Sequence, residues 1–141
     1  MNKVLLVTGG GRGIGRSAAI MAGKLKYCVG VNYLQNEKRA NETVSIIQDN
    51  GGRAIALKGD ISDYDDVNSI FDNLTESFGP VNYLVANAGD IPVRESFFQS
   101  DINSIERMIR VNLTGTIYCV YRFTKTLIEK KITGSIVLIS S

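Results

Sequence analysis

The most constraining stretch of this chain is its start, where the uninterrupted apolar run Val4-Leu5-Leu6-Val7 leads straight into Thr8-Gly9-Gly10-Gly11-Arg12-Gly13-Ile14-Gly15. Because its apolar residues are consecutive rather than alternating, the run reads as a strand over 3–7 buried on both faces. Strands of that kind belong to parallel sheets with helices on each side. The glycines follow the strand and open a helix over 13–25. Free N–H groups of the first turn and the positive end of the helix dipole therefore face whatever lies beyond the strand. Any bulky side chain there would keep an anion out.

Apolar runs and helical periodicity alternate from end to end, with no linker or repeat. In the first helix Ile14, Ala18, Met21, Ala22 and Leu25 share one face, which is expected to lie against the sheet. A second strand is predicted over 28–33, then a helix through Ala40, Val44 and Ile47 that stops at Gly51-Gly52. The third strand runs from Arg53 to Lys58. Ser62 or Asp63 caps a third helix, in which Val67, Ile70, Phe71, Leu74 and Phe78 are spaced for one buried face and Gly79-Pro80 ends it. The fourth strand is placed over 81–85 and a loop reaches to about Ser100. Helical sequence then runs through Ile105, Met108, Ile109, Ile117, Val120, Tyr121 and Leu127, closed by Gly134, and a fifth strand covers 135–139. Right-handed crossovers between these strands give the order 3-2-1-4-5, a Rossmann-type doubly wound parallel α/β sheet. Its chain reverses direction between strands 1 and 4, the switch point at which such sheets bind ligands.

Size and charge narrow the possibilities further. At 141 residues with 44% hydrophobic and 21% charged, the chain is long enough for one nucleotide-binding domain over 1–141 and too short for a separate substrate domain. Its net charge of +2 is spread without a basic run or acidic tail, which excludes the electrostatic footprint of a nucleic-acid binder. There is no histidine, and Cys28 and Cys119 are far apart, so no metal site is expected and both cysteines read as reduced core thiols. The apolar N-terminal run is too short for a signal peptide or a membrane span. A cytoplasmic protein with no membrane partner is expected, in which the sequons at Asn41, Asn73 and Asn112 are chance matches.

Several residues carry the chemistry. Gly13-Ile14-Gly15 with Ala18 satisfies a Gly-x-Gly-x-x-Ala phosphate fingerprint. In that scheme an acid about 20 residues on, at the end of the second strand, binds the ribose 2′-hydroxyl of NAD. From Arg16 through Asn36 this chain has no Asp or Glu, and the strand ends Asn32-Tyr33-Leu34-Gln35. Arg12, inside the turn, supplies a planar guanidinium suited to phosphate. NADP(H) is therefore favoured over NAD(H). Asn87, flanked by Ala86, Ala88 and Gly89, must place its amide on specific partners. Asn112 interrupts a helical pattern, where Asn is a poor choice unless its side chain has a task or the helix is bent there.

Thr-Gly, three residues and Gly-x-Gly, followed in order by Asp60, Asn87-Ala88-Gly89, Asn112 and Ser140-Ser141, resembles the short-chain dehydrogenase/reductase family over all 141 residues. The resemblance implies that Thr8, Gly9, Arg12, Gly13, Ile14 and Gly15 hold the coenzyme pyrophosphate, with Asn32 and Tyr33 at the end of the second strand also on the coenzyme. It implies that Asp60 contacts the adenine amino group and Ile61 packs on the ring. Asn87, Ala88 and Gly89 would lie along the ribose and nicotinamide, while Ala86 replaces the family's first Asn and removes a set of sheet-bracing hydrogen bonds. Asn112 matches the catalytic Asn whose backbone carbonyl holds a water in a proton relay, and Ser141 the catalytic Ser that hydrogen-bonds the substrate carbonyl or hydroxyl.

In that family a Tyr-x-x-x-Lys pair follows the serine, as general acid or base and its partner. Neither residue follows Ser141 here; Tyr121 has Lys125 at the right spacing but precedes the serine, and reads as core or interface. Two alternatives stay open. One is the N-terminal portion, truncated after the fifth strand, of an oxidoreductase that transfers a hydride between NADP(H) and a small carbonyl or alcohol; this portion alone is expected to be inactive. The other is a nucleotide-binding protein without catalysis. By resemblance the full form would be a homodimer or homotetramer, paired through the helix over about 114–131.

Overall fold

The computed structural model describes residues 2–91 and 96–140. Five parallel strands, β1 (Val4–Val7), β2 (Cys28–Tyr33), β3 (Arg53–Lys58), β4 (Tyr83–Ala86) and β5 (Ser135–Leu138), stand in the order β3-β2-β1-β4-β5. This is the expected Rossmann-like arrangement. The predicted strand bounds hold for β2 and β3; β4 lies one to two residues later than expected and β5 stops one residue sooner.

Alternation along each strand sends side chains to two cores. Leu5, Val7, Val29, Val31 and Ala54 pack on one face with Ala19, Ala22, Ala40, Val44 and Ile47 of α1 (Gly13–Lys24) and α2 (Glu37–Asp49). Val4, Leu6, Cys28, Leu57 and Leu84 pack on the other with Ile70, Phe71 and Leu74 of α3 (Tyr64–Phe78) and with Cys119 and Phe123. Burying side chains of this size contributes about 1.5–3 kcal/mol each, which fixes the register: a slip of one residue would exchange the two cores. Leu6 sits between Gly30 and Leu84. Both cysteines are buried and free, and burial pushes the Cys119 thiol up to about 12, so it is an inert core group.

Three expectations are corrected. The first concerns α1, where Ile14, Met21 and Leu25 are exposed and the buried residues are Gly15, Ala19, Ala22 and Gly23. Periodicity weights large side chains, whereas a helix drawn close to a sheet buries its smallest. The second concerns the long helical stretch. It is α4 (Ile102–Ile109), a π-helical segment Arg110–Gly115, and α5 (Thr116–Lys130), and it is Lys131 at φ 53 that caps it in left-handed conformation. Gly134 is needed instead for packing, because a Cβ there would meet the Asn82 carbonyl, Leu127 and Phe123. The third is the core alternative for Tyr121, which is exposed, its ring 6.1 Å from that of Tyr64; only the interface alternative stays open.

Of the two offered caps for α3, Asp63 is the one used: its carboxylate accepts from the N–H groups of Asp65 and Asp66, a contribution of about 1 kcal/mol. Asn82 braces the start of the sheet, its Oδ1 accepting from the Val4 N–H at 2.8 Å and its Nδ2 donating to the Asn2 carbonyl. No helix among the described residues is long and apolar enough to cross a membrane.

Candidate functional site

The connections leaving β1 and β4 run to opposite faces of the sheet, and between them opens a cleft of about 660 Å3. Gly9, Arg12, Gly13 and Ile14 line it from the first turn, Asn87, Ala88 and Gly89 from the end of β4, and Asn112, Thr116, Ile139 and Ser140 from later elements. Eight of the residues singled out in the sequence thus meet at one place. Ser141 lies outside the described residues.

Thr8 and Gly15 lie beneath the cleft. The buried Thr8 hydroxyl accepts from the N–H groups of Asn87 at 2.9 Å and Ala88 at 3.0 Å, and the Asn87 carboxamide donates back to the carbonyls of Thr8 and Gly9. These bonds join the ends of β1 and β4 beside Ala86, where no side-chain bracing is available. A Cβ on Gly15 would run into this seam, meeting Asn87 Nδ2 and lying 2.6 Å from the Gly9 carbonyl oxygen. Gly13 is a glycine for a different reason. Its φ is +55 and nothing stands within 4 Å of where its Cβ would be, so the backbone conformation, not crowding, demands it.

In front of Gly13 the N-terminus of α1 is left without internal satisfaction. Arg12 occupies the cap position in extended conformation, makes no capping hydrogen bond, and the first turn holds no acid. Unpaired N–H groups, a positive dipole end, open space and an exposed arginine with no ion pair among the described residues fit a phosphate group.

Four of the sequence candidates lie off the cleft wall. Asn32 is buried and its amide is fully used: Oδ1 accepts from the Gly9 N–H, and Nδ2 donates to the carbonyls of Leu57 and Gly59. It acts by holding the glycine turn to the end of β3. Ile61 is 4% exposed and packed into the core and against Gly115, leaving little surface for a base to stack on. Tyr33 is half-buried, and burial together with the adjoining Glu37 carboxylate, which accepts from the phenol, raises its pKa. Glu37, one residue past the acid-free stretch, therefore reaches back to the end of β2.

Asp60 is held from two sides. Its Oδ1 accepts from the N–H and hydroxyl of Ser62, and its Oδ2 pairs with Arg107 Nη1 at 2.7 Å. Partial burial disfavours the charge, but the Arg107 and Ser62 bonds outweigh it and hold the carboxyl below the usual aspartate range. Sequence reasoning missed Arg107. It lies in a helix legible only through its apolar positions, 45 residues from Ser62, and no local pattern announces such a partner.

Asn112 occupies the π-helical segment, where the regular α-helix is interrupted, and its side chain has a task there. Its Oδ1 accepts from the Asp90 N–H at 2.7 Å and its Nδ2 donates to the Asp90 carbonyl at 2.9 Å. Its own carbonyl accepts from the Thr116 hydroxyl.

Residues 3–141 match the family model for short chain dehydrogenases. The chain is 37% identical over 139 residues to the L-rhamnose 1-dehydrogenase (NAD(P)(+)) of Sphingomonas sp. (strain SKA58), and 33% identical to glucose 1-dehydrogenase 2 of Bacillus subtilis (strain 168). In both cases 99% of this chain matches 54% of the relative; it spans about half the length of these relatives. Among solved structures, a short-chain dehydrogenase/reductase mutant from Serratia marcescens superposes with a TM-score of 0.88 at 25% identity, covering 99% of this chain and 55% of that one. A short-chain type dehydrogenase/reductase from Mycobacterium marinum reaches 0.91 at 23% identity, covering 99% and 56%.

Proposed function

Since this chain belongs to the short chain dehydrogenase family, we propose that it provides the coenzyme-binding half of an NADP(H)-dependent oxidoreductase acting on a small carbonyl or alcohol. The observation that carries this reading is the cleft at the switch point, with the open space at Gly13 facing the unsatisfied N-terminus of α1. When bound, the coenzyme supplies hydride-transfer chemistry. The residues of this chain bind and orient. The turn N–H groups and Arg12 neutralise phosphate, Asp60 offers a carboxylate oxygen to the adenine amino group, and Asn87 keeps the turn against β4 so that Ala88 and Gly89 flank the ribose and nicotinamide. Asn112, whose backbone carbonyl keeps a second lone pair beside its bond from the Thr116 hydroxyl, orients a water for proton movement. Ser141 would hydrogen-bond the substrate oxygen.

Arg12 and the acid-free end of β2 support NADP(H) over NAD(H); Glu37 beside Tyr33 works against a 2′-phosphate. Replacing it by Gln is therefore expected to raise the preference for NADPH about fivefold, the effect of removing a ~1 kcal/mol like-charge repulsion at the surface. The measurement is the ratio of NADPH to NADH affinities in the two proteins.

The site is tested by titrating NADPH fluorescence, with Gly13→Val as control: binding that survives this substitution unchanged overturns the phosphate assignment. A second reading rests on Ser141 being the last of the family's motifs present. On that reading the 141-residue chain binds coenzyme without turnover, and carbonyl-dependent NADPH oxidation by the chain as written would overturn it. Two relatives are named for sugars, so aldoses are the first substrates to try. We further infer a cytoplasmic protein, without nucleic-acid or membrane partners, that pairs as a homodimer or homotetramer through α5, with its exposed Ile117, Tyr121 and Ile128; sedimentation of the purified protein tests the pairing.

A further inference from the structure

We propose that Arg107 is a positioning residue for the adenine end of the coenzyme, holding Asp60 in the orientation that reads the base and tying that loop to the one after β4. The proposal rests on the reading of the site given above. One guanidinium makes all three links: Nη1 lies 2.7 Å from Asp60 Oδ2, the same nitrogen donates to Ser62 Oγ at 2.7 Å, and Nε stands 3.9 Å from Asp90 Oδ2. Ser62 closes a ring by donating its hydroxyl proton to Asp60 Oδ1. With its own N–H also bonded to Asp66, Asp60 has its backbone and both carboxylate oxygens fixed, and the remaining lone pairs are the acceptors left for a ligand.

On its far side Arg107 reaches Asp90, whose backbone N–H and carbonyl are both held by Asn112. The loops that follow β3 and β4, which approach the coenzyme from different strands, are therefore set relative to each other by one side chain on α4. Only a planar fork with several donors can do this. A lysine ammonium, a single point charge on a flexible stem, can keep the contact to Asp60 but not the whole set.

A merely structural role would weaken every coenzyme alike, so the experiment compares two that differ only at the base. NADPH and its hypoxanthine analogue, which carries a carbonyl in place of the adenine amino group, are titrated against the wild type, Arg107→Met, Arg107→Lys, Asp60→Asn and the Arg107→Met/Asp60→Asn pair, with Gly13→Val as control. Arg107→Met is expected to weaken NADPH about tenfold and the analogue less than threefold, with Arg107→Lys recovering part of the loss. The double variant should be no weaker than Asp60→Asn alone, as expected of residues acting through one contact. Equal losses for the two coenzymes, or no loss, overturn the proposal while Gly13-sensitive binding leaves the site standing. Binding by the wild type that is absent, or indifferent to Gly13→Val, removes both. If Arg107→Met does not fold, Arg107→Lys decides, since a loss equal for both coenzymes there is equally fatal.

Discussion

Strands β1 and β5 are alike in sequence, four residues each and mostly apolar, yet every residue of Val4–Val7 is buried and every residue of Ser135–Leu138 is exposed. The difference lies in position. β1 has a strand on both sides and helices over both faces, whereas β5, among the described residues, pairs with β4 alone. Val137, aligned with Val85, faces the side of α1, and Leu138, aligned with Ala86, faces the side of α3 and α5. Neither side chain is covered. The exposed Ile14, Met21 and Leu25 of α1 belong to the same pattern of uncovered apolar surface. Apolarity thus identifies a strand, but the cover it receives is decided by topology.

The comparison breaks most readily at Leu6. Replacing it by Ala should cost about 2–5 kcal/mol by urea denaturation, because the side chain is fully enclosed; a cost below 1 kcal/mol would mean that the centre of the sheet is not packed as described. Next in size is Gly15→Ala, expected to cost about 1–3 kcal/mol through overpacking and to lose coenzyme binding as well, since the added methyl strikes the seam between β1 and β4. A change in binding with no change in stability would separate the two roles.

Acid sensitivity sharpens the contrast between the two edges of the sheet. Asp60, following β3, has a folded pKa below its unfolded value. Its contribution is therefore complete above the ordinary aspartate pKa and is lost as the pH falls through the depressed folded value. In Arg107→Met that loss should shrink, seen as a flatter stability curve in the acid limb. Strand β5 carries no titratable side chain and adds nothing there. The smallest effect is expected from Val137→Thr, within about 0.5 kcal/mol of the parent; a large loss would show that β5 is covered after all.

Much of this architecture was legible because strong local signals agreed. Continuous apolar runs gave the strands, and glycines after the first of them marked the turn and its helix. Ala22 lies on the expected face of α1, whereas Ala19 and Gly23 were not legible, since small residues carry almost no hydrophobic signal, although they are what lets α1 approach the sheet. The candidate site was legible where its residues lie in short motifs, as at Gly13-Ile14-Gly15 and Asn87-Ala88-Gly89. It was opaque where partners are remote. Thr8 with Asn87, Asn32 with Gly59, and Arg107 with Asp60 are linked only in three dimensions, and no periodicity records them. Ile61 is an aliphatic beside a ligand loop whose turn into the core no local pattern records.

The central place of β1 also has a consequence in time. Val4 is synthesised well before the Asn82 side chain that binds its N–H, which is 78 residues further on. At about 5–20 residues per second, roughly 4–16 seconds pass before the ribosome has made that partner. During the wait β1 can pair with β2 alone, as one edge of an unfinished sheet. A strand made before its partner is thus locked late, and chaperone dependence in the cell should track the exposure of Val4–Val7 during that interval rather than the stability of the finished fold.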